Sequence, residues 1–518
     1  MVAEADGAFL PYHEPTVIEI LTLTSFFLFL SISEWIADKV ISASLIGPII
    51  VGLIYGMPIG NILLPVWQET FLALGYIGLI LIIFEGGLTI RLDLLRQNFL
   101  LSVIAALIGV LTPIGLSFAL LYAGFDHAPL ESFILGTSLC STSLGTTLVL
   151  LTSASASSAA APGNGDPDAK KEPPPIDFSQ TRIGTILVSA AVLDDVCGLV
   201  LVSVIHQLRG IAGGGAGGGQ GLGWVIGRPV LASGLMALLT PVVARFVARP
   251  AFRRGLEPLA AKIGVLQRKR HVLNALLMVG VLGAFLAIAA YAGASVLFGA
   301  FLAGGFVGAL PSAPKVAGEG GQGGVSPALG ETFDRYTAGA RRFILQPLFF
   351  ASIGFAIPFL ELWTGEVIWK GVVYTVLMAL GKLVVGIVVP GWDLIASWRK
   401  RSTSEKARPA VLRSWAPATL LGAAMVARGE IGLLIIQIGL NETPFLTRKG
   451  FAIGIWAIVL NTIIGPVVVG ILLKRVGTEI ADDAQWGVQR NGDSDLDWPA
   501  AVEQAGGSGP DGSMLEMR

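Results

Sequence analysis

The segment SAAVLDDVCGLVLVSV, residues 189–204, places two adjacent carboxylates midway along an otherwise apolar stretch. Consecutive residues on a helix point about 100° apart, so Asp194 and Asp195 can face different partners. If this stretch crosses a bilayer, each charge costs about 2.5–3.5 kcal/mol on insertion scales and needs a partner or a function. The two acids could anchor interhelical salt bridges, but a second acid would add cost without adding anchoring. We therefore expect one carboxylate to be neutralised by a partner and the other to hold a cation.

The composition of the whole chain places it in a membrane. Of its 518 residues, 53% are hydrophobic and 14% are charged, whereas about 25% charged residues is usual in soluble proteins. A soluble protein could not hide so much apolar surface, so we predict a polytopic membrane protein. The net charge of −1 provides no basic field for nucleic acid, which we exclude as a partner. Cys140 and Cys197 lie in apolar runs and are interpreted as packed residues rather than a disulfide or metal site.

Thirteen apolar runs are long enough to cross about 30 Å of hydrocarbon as helices. The predicted fold is therefore an all-α polytopic membrane protein of about 13 transmembrane helices. The runs lie approximately at 16–33, 42–57, 72–88, 99–123, 130–152, 181–206, 224–247, 272–290, 294–310, 343–362, 367–397, 413–440 and 447–474.

The distribution of Lys and Arg predicts the orientation, because short loops rich in these residues stay cytoplasmic. With the N-terminus outside, the internal connections and the C-terminal tail hold 28 of the 35 Lys and Arg residues, and the external connections hold five. We expect an extracytoplasmic N-terminus and a cytoplasmic C-terminus. The bias is the same in plasma, vacuolar and bacterial inner membranes, so it does not identify the membrane.

The chain divides into one membrane domain and little else. Residues 1–15 are predicted to be an extracytoplasmic N-terminus, and 16–474 the membrane domain. Low-complexity stretches at 153–180 and 210–223 are interpreted as flexible linkers. The acidic segment 475–518 is predicted to be a disordered cytoplasmic tail. No P-loop or Rossmann segment accompanies them, which disfavours pumping driven by ATP.

Further charges fall inside apolar runs. Lys382, in VLMALGKLVVGIVV, lies about twelve residues from either end of its run, so its ammonium group cannot reach the bilayer surface by snorkelling. Beside a carboxylate, such a lysine forms a proton-linked switch. Glu85, Arg428 and Glu430 are also embedded and must pair, line water, or both.

Two spans are interrupted by polar or glycine-rich stretches, LGTSLCSTSLGTTLVLL at 135–151 and GAAMVARGEIGLLII at 422–436. Ser and Thr often join membrane helices by hydrogen bonds, but broken helices beside a midplane site are also how many secondary transporters expose carbonyls and helix ends to an ion. The interrupted spans are the fifth and the twelfth. They are fourth in each unit of an inverted five-helix repeat, which would comprise spans two to six and nine to thirteen.

These features resemble the cation/proton antiporter superfamily, in particular its paired-aspartate, sodium/hydrogen exchanger-like branch. The resemblance extends from SLIGPIIVGLIYG at 44–56 to the last span, and the order of LDD, GK and RGE on three separate spans is its most specific part. The motifs are FEGGLTIRLDLL at 84–95, STSLGTT at 141–147, LDD at 193–195, SVLFGAFLAG at 295–304, PLFFASIGF at 347–355, GKLVVG at 381–386 and RGEIGLL at 428–434.

The resemblance implies roles for individual residues. Asp195 is similar to the family's carboxylate that binds the cation and exchanges the proton. Asp194 is similar to the carboxylate that pairs with the lysine of the GK motif, here Lys382. The STSLGTT segment resembles an unwound crossing helix, in which Thr142 and Ser143 would supply oxygen ligands.

The same resemblance implies that Arg428 and Glu430 lie in the opposing crossing helix and brace the core of the protein, with Glu85 as a possible partner of Arg428. It further implies a homodimer, a transporter rather than an enzyme, and no cofactor beyond the transported ions. The two linkers beside the paired-aspartate span depart from the family's short loops, which leaves the local gating open.

We therefore predict a secondary antiporter that exchanges Na⁺, K⁺ or Li⁺ for H⁺ and is electrogenic if both Lys382 and Asp195 release protons. An alternative is a sodium-coupled organic anion symporter on a similar repeat fold, although two acids suit a cation better. An intramembrane aspartyl protease is a remote alternative, because its G-x-G-D pattern occurs only as GNGD at 163–166, in a polar linker.

Overall fold

The computed structural model describes residues 12, 14–41, 43–90, 98–143, 178, 181–212, 222–252, 254, 270–310, 329–399, 414–481, 483 and 485–487. Most of the predicted linker 153–180, positions 213–221 of the second linker and the tail from 488 onward lie outside these residues. Every regular element in the described ranges is a helix, as the apolar runs predict.

Fourteen helices are named here in chain order. They are α1 (Val17–Ile41), α2 (Ile46–Tyr55), α3 (Pro65–Leu88), α4 (Phe99–Phe125), α5 (Pro129–Ser138), α6 (Arg182–Ala212), α7 (Leu222–Val243, continued to Ala251), α8 (Arg270–Ala292), α9 (Val296–Gly308), α10 (Leu329–Ala340, continued through Arg341–Leu345 into Gln346–Phe355), α11 (Gly365–Leu383, continued through Val384–Ile387 into Val388–Arg399), α12 (Trp415–Ala424), α13 (Glu430–Glu442) and α14 (Arg448–Ala481). A single turn, Phe359–Leu362, lies between α10 and α11.

Eight of these helices are long and apolar enough to cross a membrane, namely α1, α3, α4, α6, α7, α8, α11 and α14. The protein is thus a multi-pass integral membrane protein. The count of thirteen spans and the inverted five-helix repeat stay predictions.

The helices pack in two groups. The first helix group comprises α1, α2, α3, α8, α9 and α10, and the second comprises α4, α5, α6 and α11 to α14. Helix α7 contacts α6 in the second group and α9 in the first. Glycines allow the closest contacts of the first group: Gly87 of α3 packs on the carbonyl of Phe301, and Gly304 of α9 packs on the carbonyl of Phe84. The described part of the glycine-rich motif at 84–95, residues 84–90, therefore packs against the motif at 295–304.

Two predicted boundaries are wrong. The tenth span was expected at 343–362, but α10 begins at Leu329, because the polar segment LGETFDRYTAGA forms an amphipathic helix that an apolar-run criterion misses. The tail was expected to be disordered from 475, but α14 continues to Ala481 and the following turn buries Trp486, which is 1% exposed. The prediction of disorder rested on the average composition of residues 475–518, and an average does not reveal that a single residue such as Trp486 is buried.

Candidate cation and proton site

The two interrupted spans cross each other. Helix α5 ends at Ser138 and the chain is non-helical at 141–143, while the second break separates α12, ending at Ala424, from α13, beginning at Glu430. The backbone N–H of Ser143 donates to the carbonyl of Ala427 at 3.0 Å, which joins the two breaks directly. Each break leaves backbone groups without intrahelical partners, so polar atoms are concentrated at this crossing.

Arg428 lies at the centre of the crossing and is fully buried. Its Nη1 donates to the carbonyl of Ser141 at 3.0 Å and to that of Met425 at 3.5 Å. A cation near the C-terminal ends of α5 and α12 offsets the negative ends of both helix dipoles. Its Nε and Nη2 have no hydrogen-bond partner within the described part of the chain.

The predicted pairing of Arg428 with Glu85 is wrong. The carboxylate of Glu85 on α3 instead contacts Arg341 of α10, with Oε1 2.7 Å from Nη2. Glu85 belongs to the first helix group and lies away from the crossing, where Arg428 is held by backbone carbonyls. The positions of charged residues in the sequence do not show which backbone carbonyls are free to accept hydrogen bonds. For this reason an acidic side chain was expected as the partner of Arg428.

Asp194 of α6 and Lys382 of α11 form a fully buried ion pair, with Nζ 2.5 Å from Oδ2. The hydroxyl of Thr142 completes a triangle, because it donates to Asp194 Oδ2 at 3.0 Å and accepts from Lys382 Nζ at 3.0 Å. The triangle ties the first break to both charged helices. The other carboxylate oxygen of Asp194, Oδ1, has no hydrogen-bond partner among the described residues.

Asp195 has different surroundings from its neighbour. Its side chain is only partly buried, and it forms neither a hydrogen bond nor an ion pair with another described residue. The charges that act on it are those of Glu430, Asp194 and Lys382. Among the described residues, Asp194 is therefore paired with Lys382 and Asp195 is not paired.

The remaining candidates lie around these two acids. Glu430 is the partly buried first residue of α13, where the positive end of the helix dipole favours a carboxylate. Ser143 is buried beside Gly429. Thr142 was predicted as a cation ligand, but its hydroxyl is engaged by the Asp194–Lys382 pair. Positions 144–147 of the STSLGTT motif lie outside the described residues.

Comparison with known proteins identifies the family. The family described as "Sodium/hydrogen exchanger, transmembrane" matches residues 25–475. The chain belongs to this family. This sodium/hydrogen exchanger is 24% identical over 434 residues to the Na(+)/H(+)-K(+) antiporter GerN of Bacillus cereus, which covers 82% of this chain and 88% of the relative. It is also 24% identical over 439 residues to the Na(+)/H(+) antiporter of Enterococcus hirae, covering 84% and 92%.

Among solved structures, the sodium proton antiporter MjNhaP1 from Methanocaldococcus jannaschii aligns with 88% of this exchanger and 98% of its own chain, at 16% identity and a TM-score of 0.49. Membership of the exchanger family makes this protein an antiporter of monovalent cations and protons. It is a transporter rather than an enzyme, and the ions are substrates rather than cofactors. The symporter and protease alternatives are not supported, and GNGD at 163–166 lies outside the described residues.

Proposed function

We propose that the exchanger moves Na⁺ against H⁺ and that the Asp195 carboxylate carries the two ions in turn. Both relatives reported above are named as Na⁺/H⁺ antiporters, and one of them also as a K⁺ antiporter. The observation that carries the proposal is the contrast between the two acids, since Asp194 is paired with Lys382 and Asp195 has no such partner within the part of the chain that the structure describes. A hard cation requires oxygen ligands, which a carboxylate provides.

In the proposed cycle, Asp195 arrives protonated at one side of the membrane and loses its proton when a cation binds. Glu430, whose charge acts on Asp195, adds a second negative group that favours the cation. We assign the hydroxyl of Ser143, whose backbone lies at the crossing of the two breaks, as a further ligand. Thr142 and Asp194 hold Lys382 beside the site, and Arg428 fixes the two breaks relative to each other.

The test is exchange by Asp195→Asn in proteoliposomes. The amide is nearly isosteric with the acid, and removing an unpaired charge from this environment relieves desolvation, so the variant should fold. We expect Na⁺-driven proton release to be lost, while Glu366→Gln, a change at an exposed carboxylate at the start of α11, keeps it. Exchange at the wild-type rate in Asp195→Asn would overturn the assignment.

We propose that the N-terminus is extracytoplasmic and the C-terminus cytoplasmic. The support is the asymmetry of Lys and Arg, 28 of which fall on the predicted inner side. A reporter enzyme that functions only in the cytoplasm, fused after Arg518, should be active. An inactive reporter in a folded, transport-competent fusion would reverse the orientation.

We also propose a homodimer, as the family resemblance implies. Helices α1 and α8 are the spans least buried within one chain, so their apolar faces are free to contact a second copy or lipid. Light scattering of the detergent-solubilised protein should give twice the mass of the 54.1 kDa chain. A monomer at every concentration that supports activity would contradict this proposal.

A further inference from the structure

Gly109 of α4 lies against the buried ion pair. A Cβ atom built at this glycine would be 3.1 Å from Asp194 Oδ2, 3.2 Å from Asp194 Oδ1 and 3.2 Å from Lys382 Nζ. Ordinary van der Waals contacts of a Cβ atom begin at about 3.4 Å, so a methyl group here would crowd all three polar atoms. No other charged side chain is this close to a glycine Cβ position within the residues that the structure describes, apart from Glu131 at Gly450 and Arg228 at Gly293.

The helix around Gly109 is shaped for this contact. Pro113 follows four residues later and has no backbone N–H, so the Gly109 carbonyl lacks its usual intrahelical hydrogen bond. The buried face of α4 near Gly109 also includes Ala105 and Ala106, whose small side chains allow close packing on α6. Helix α4 therefore approaches Asp194 with its backbone.

A hydrogen bond further along the helix fixes α4 against the lysine helix. Ser117 Oγ on α4 and Tyr374 Oη on α11 are 2.7 Å apart, and both side chains are fully buried. Tyr374 lies two helical turns before Lys382 on the same helix. Because α4 is fixed at Ser117, it cannot move away freely to make room for a side chain at 109. The ion pair would have to move instead.

We propose that Gly109 is a positioning residue of the exchange site, whose missing side chain keeps Lys382 and Asp194 in contact. The inference rests on the proposed function, since it concerns the lysine beside Asp195. A methyl group at 109 would displace Nζ and the Asp194 carboxylate by a few tenths of an ångström. Lys382 would then give up its proton more easily, because a cation separated from its carboxylate is less favoured.

The experiment compares Gly109→Ala with Gly115→Ala in proteoliposomes, with exchange measured from pH 5 to 9. Gly115 is on the same helix, and a Cβ there meets nothing within 4 Å, so it controls for the higher helix propensity of alanine. We expect the pH profile of Gly109→Ala to shift toward acid by about half a unit or more, while Gly115→Ala keeps the wild-type profile. A wild-type profile in folded Gly109→Ala would overturn the inference.

A double-variant cycle covers the case in which Gly109→Ala folds but is too unstable for its pH profile to be measured. Lys382→Ala removes the crowded ammonium group, so the melting temperature should fall less on adding Gly109→Ala to Lys382→Ala than on adding it to the wild type. Equal losses in both backgrounds would show that the methyl group does not act through the pair. The Asp195→Asn experiment is independent of this result. If Gly109→Ala has no effect on the pH profile while Asp195→Asn is inactive, only the positioning role of Gly109 is refuted.

Discussion

Asp194 and Asp195 are neighbours in sequence, but among the described residues only Asp194 has an ion-pair partner. The carboxylate of Asp194 is fully buried and contacts Lys382 at 2.5 Å, whereas Asp195 is partly exposed beside Glu430. On a helix the two side chains point about 100° apart, which is sufficient for this difference. A salt bridge in the membrane and an open carboxylate can thus coexist within one turn.

The open carboxylate predicts competition between cation and proton. Because both occupy Asp195 in the proposed cycle, a lower pH should empty the site of cation and raise the apparent KM for Na⁺. For a single competing proton the rise approaches about tenfold per pH unit in the acid range. The measurement is the initial rate of exchange as a function of Na⁺ concentration. It is repeated at several pH values, and in each experiment the pH is the same on both sides of the membrane. An apparent KM that stays constant from pH 5 to 8.5 would contradict competition.

The sequence led to the correct partner for Lys382 but to the wrong partner for Arg428. The family resemblance paired Asp194 with Lys382, and both are charges embedded in apolar runs that each need a partner, so their contact could be anticipated. Arg428 needed no acid, because the carbonyls of Ser141 and Met425 receive its hydrogen bonds. Backbone acceptors appear only when the helices break, and the exact break points are not readable from composition.

At the scale of whole elements, the start of α6 is held by the C-terminal turn formed by residues 483 and 485–487. The first two N–H groups of α6, those of Arg182 and Ile183, donate to the carbonyls of Gly487 and Trp486 at 3.0 and 3.2 Å. The Trp486 ring lies under the Arg182 guanidinium at 5.0 Å, and its Nε1 donates to Asp393 of α11 at 3.3 Å. The turn therefore links the helices that carry Asp194 and Lys382.

Trp486→Ala should destabilise the exchanger. Truncating a buried Trp typically lowers the free energy of unfolding by about 3–5 kcal/mol, and here the Asp393 carboxylate also loses a hydrogen bond. The measurement is the thermal unfolding midpoint in detergent. Trp415→Ala, at a half-exposed tryptophan at the start of α12, is the matched control and should change the midpoint much less. Equal shifts for the two variants would mean that the C-terminal turn does not hold α6.

At the scale of the whole molecule, the candidate site lies within one helix group. Asp194, Lys382, Thr142 and Arg428 all belong to α4–α6 or α11–α14 and their breaks, while the first group contributes contacts through α9 to α6 and through α10 to α13. The apolar runs were sufficient to predict an all-helical membrane protein. They could not predict this grouping, because it depends on glycine contacts such as that of Gly304 on the Phe84 carbonyl.

The arrangement leads to a prediction about charge movement across the membrane. If Lys382 and Asp195 both release a proton when one cation binds, two positive charges move one way for each that returns. The membrane potential then contributes about 2.3 kcal/mol per net charge per 100 mV. We expect wild-type exchange to generate current on a solid-supported membrane. Lys382→Gln should be weaker and closer to electroneutral, while Lys370→Gln, near the start of the same helix, keeps the current.

Stability separates the two roles of the lysine. Lys382→Gln leaves the buried Asp194 carboxylate without its partner, which typically costs about 3–5 kcal/mol. Adding Asp194→Asn removes that charge, so the double variant should recover thermal stability but not the current. If the double variant is stable but carries no current, the loss of current is not caused by instability. The second proton can then be assigned to Lys382 itself. Wild-type exchange without net charge movement would instead make Lys382 a structural bridge, and Asp195 would have to exchange one proton for each cation alone.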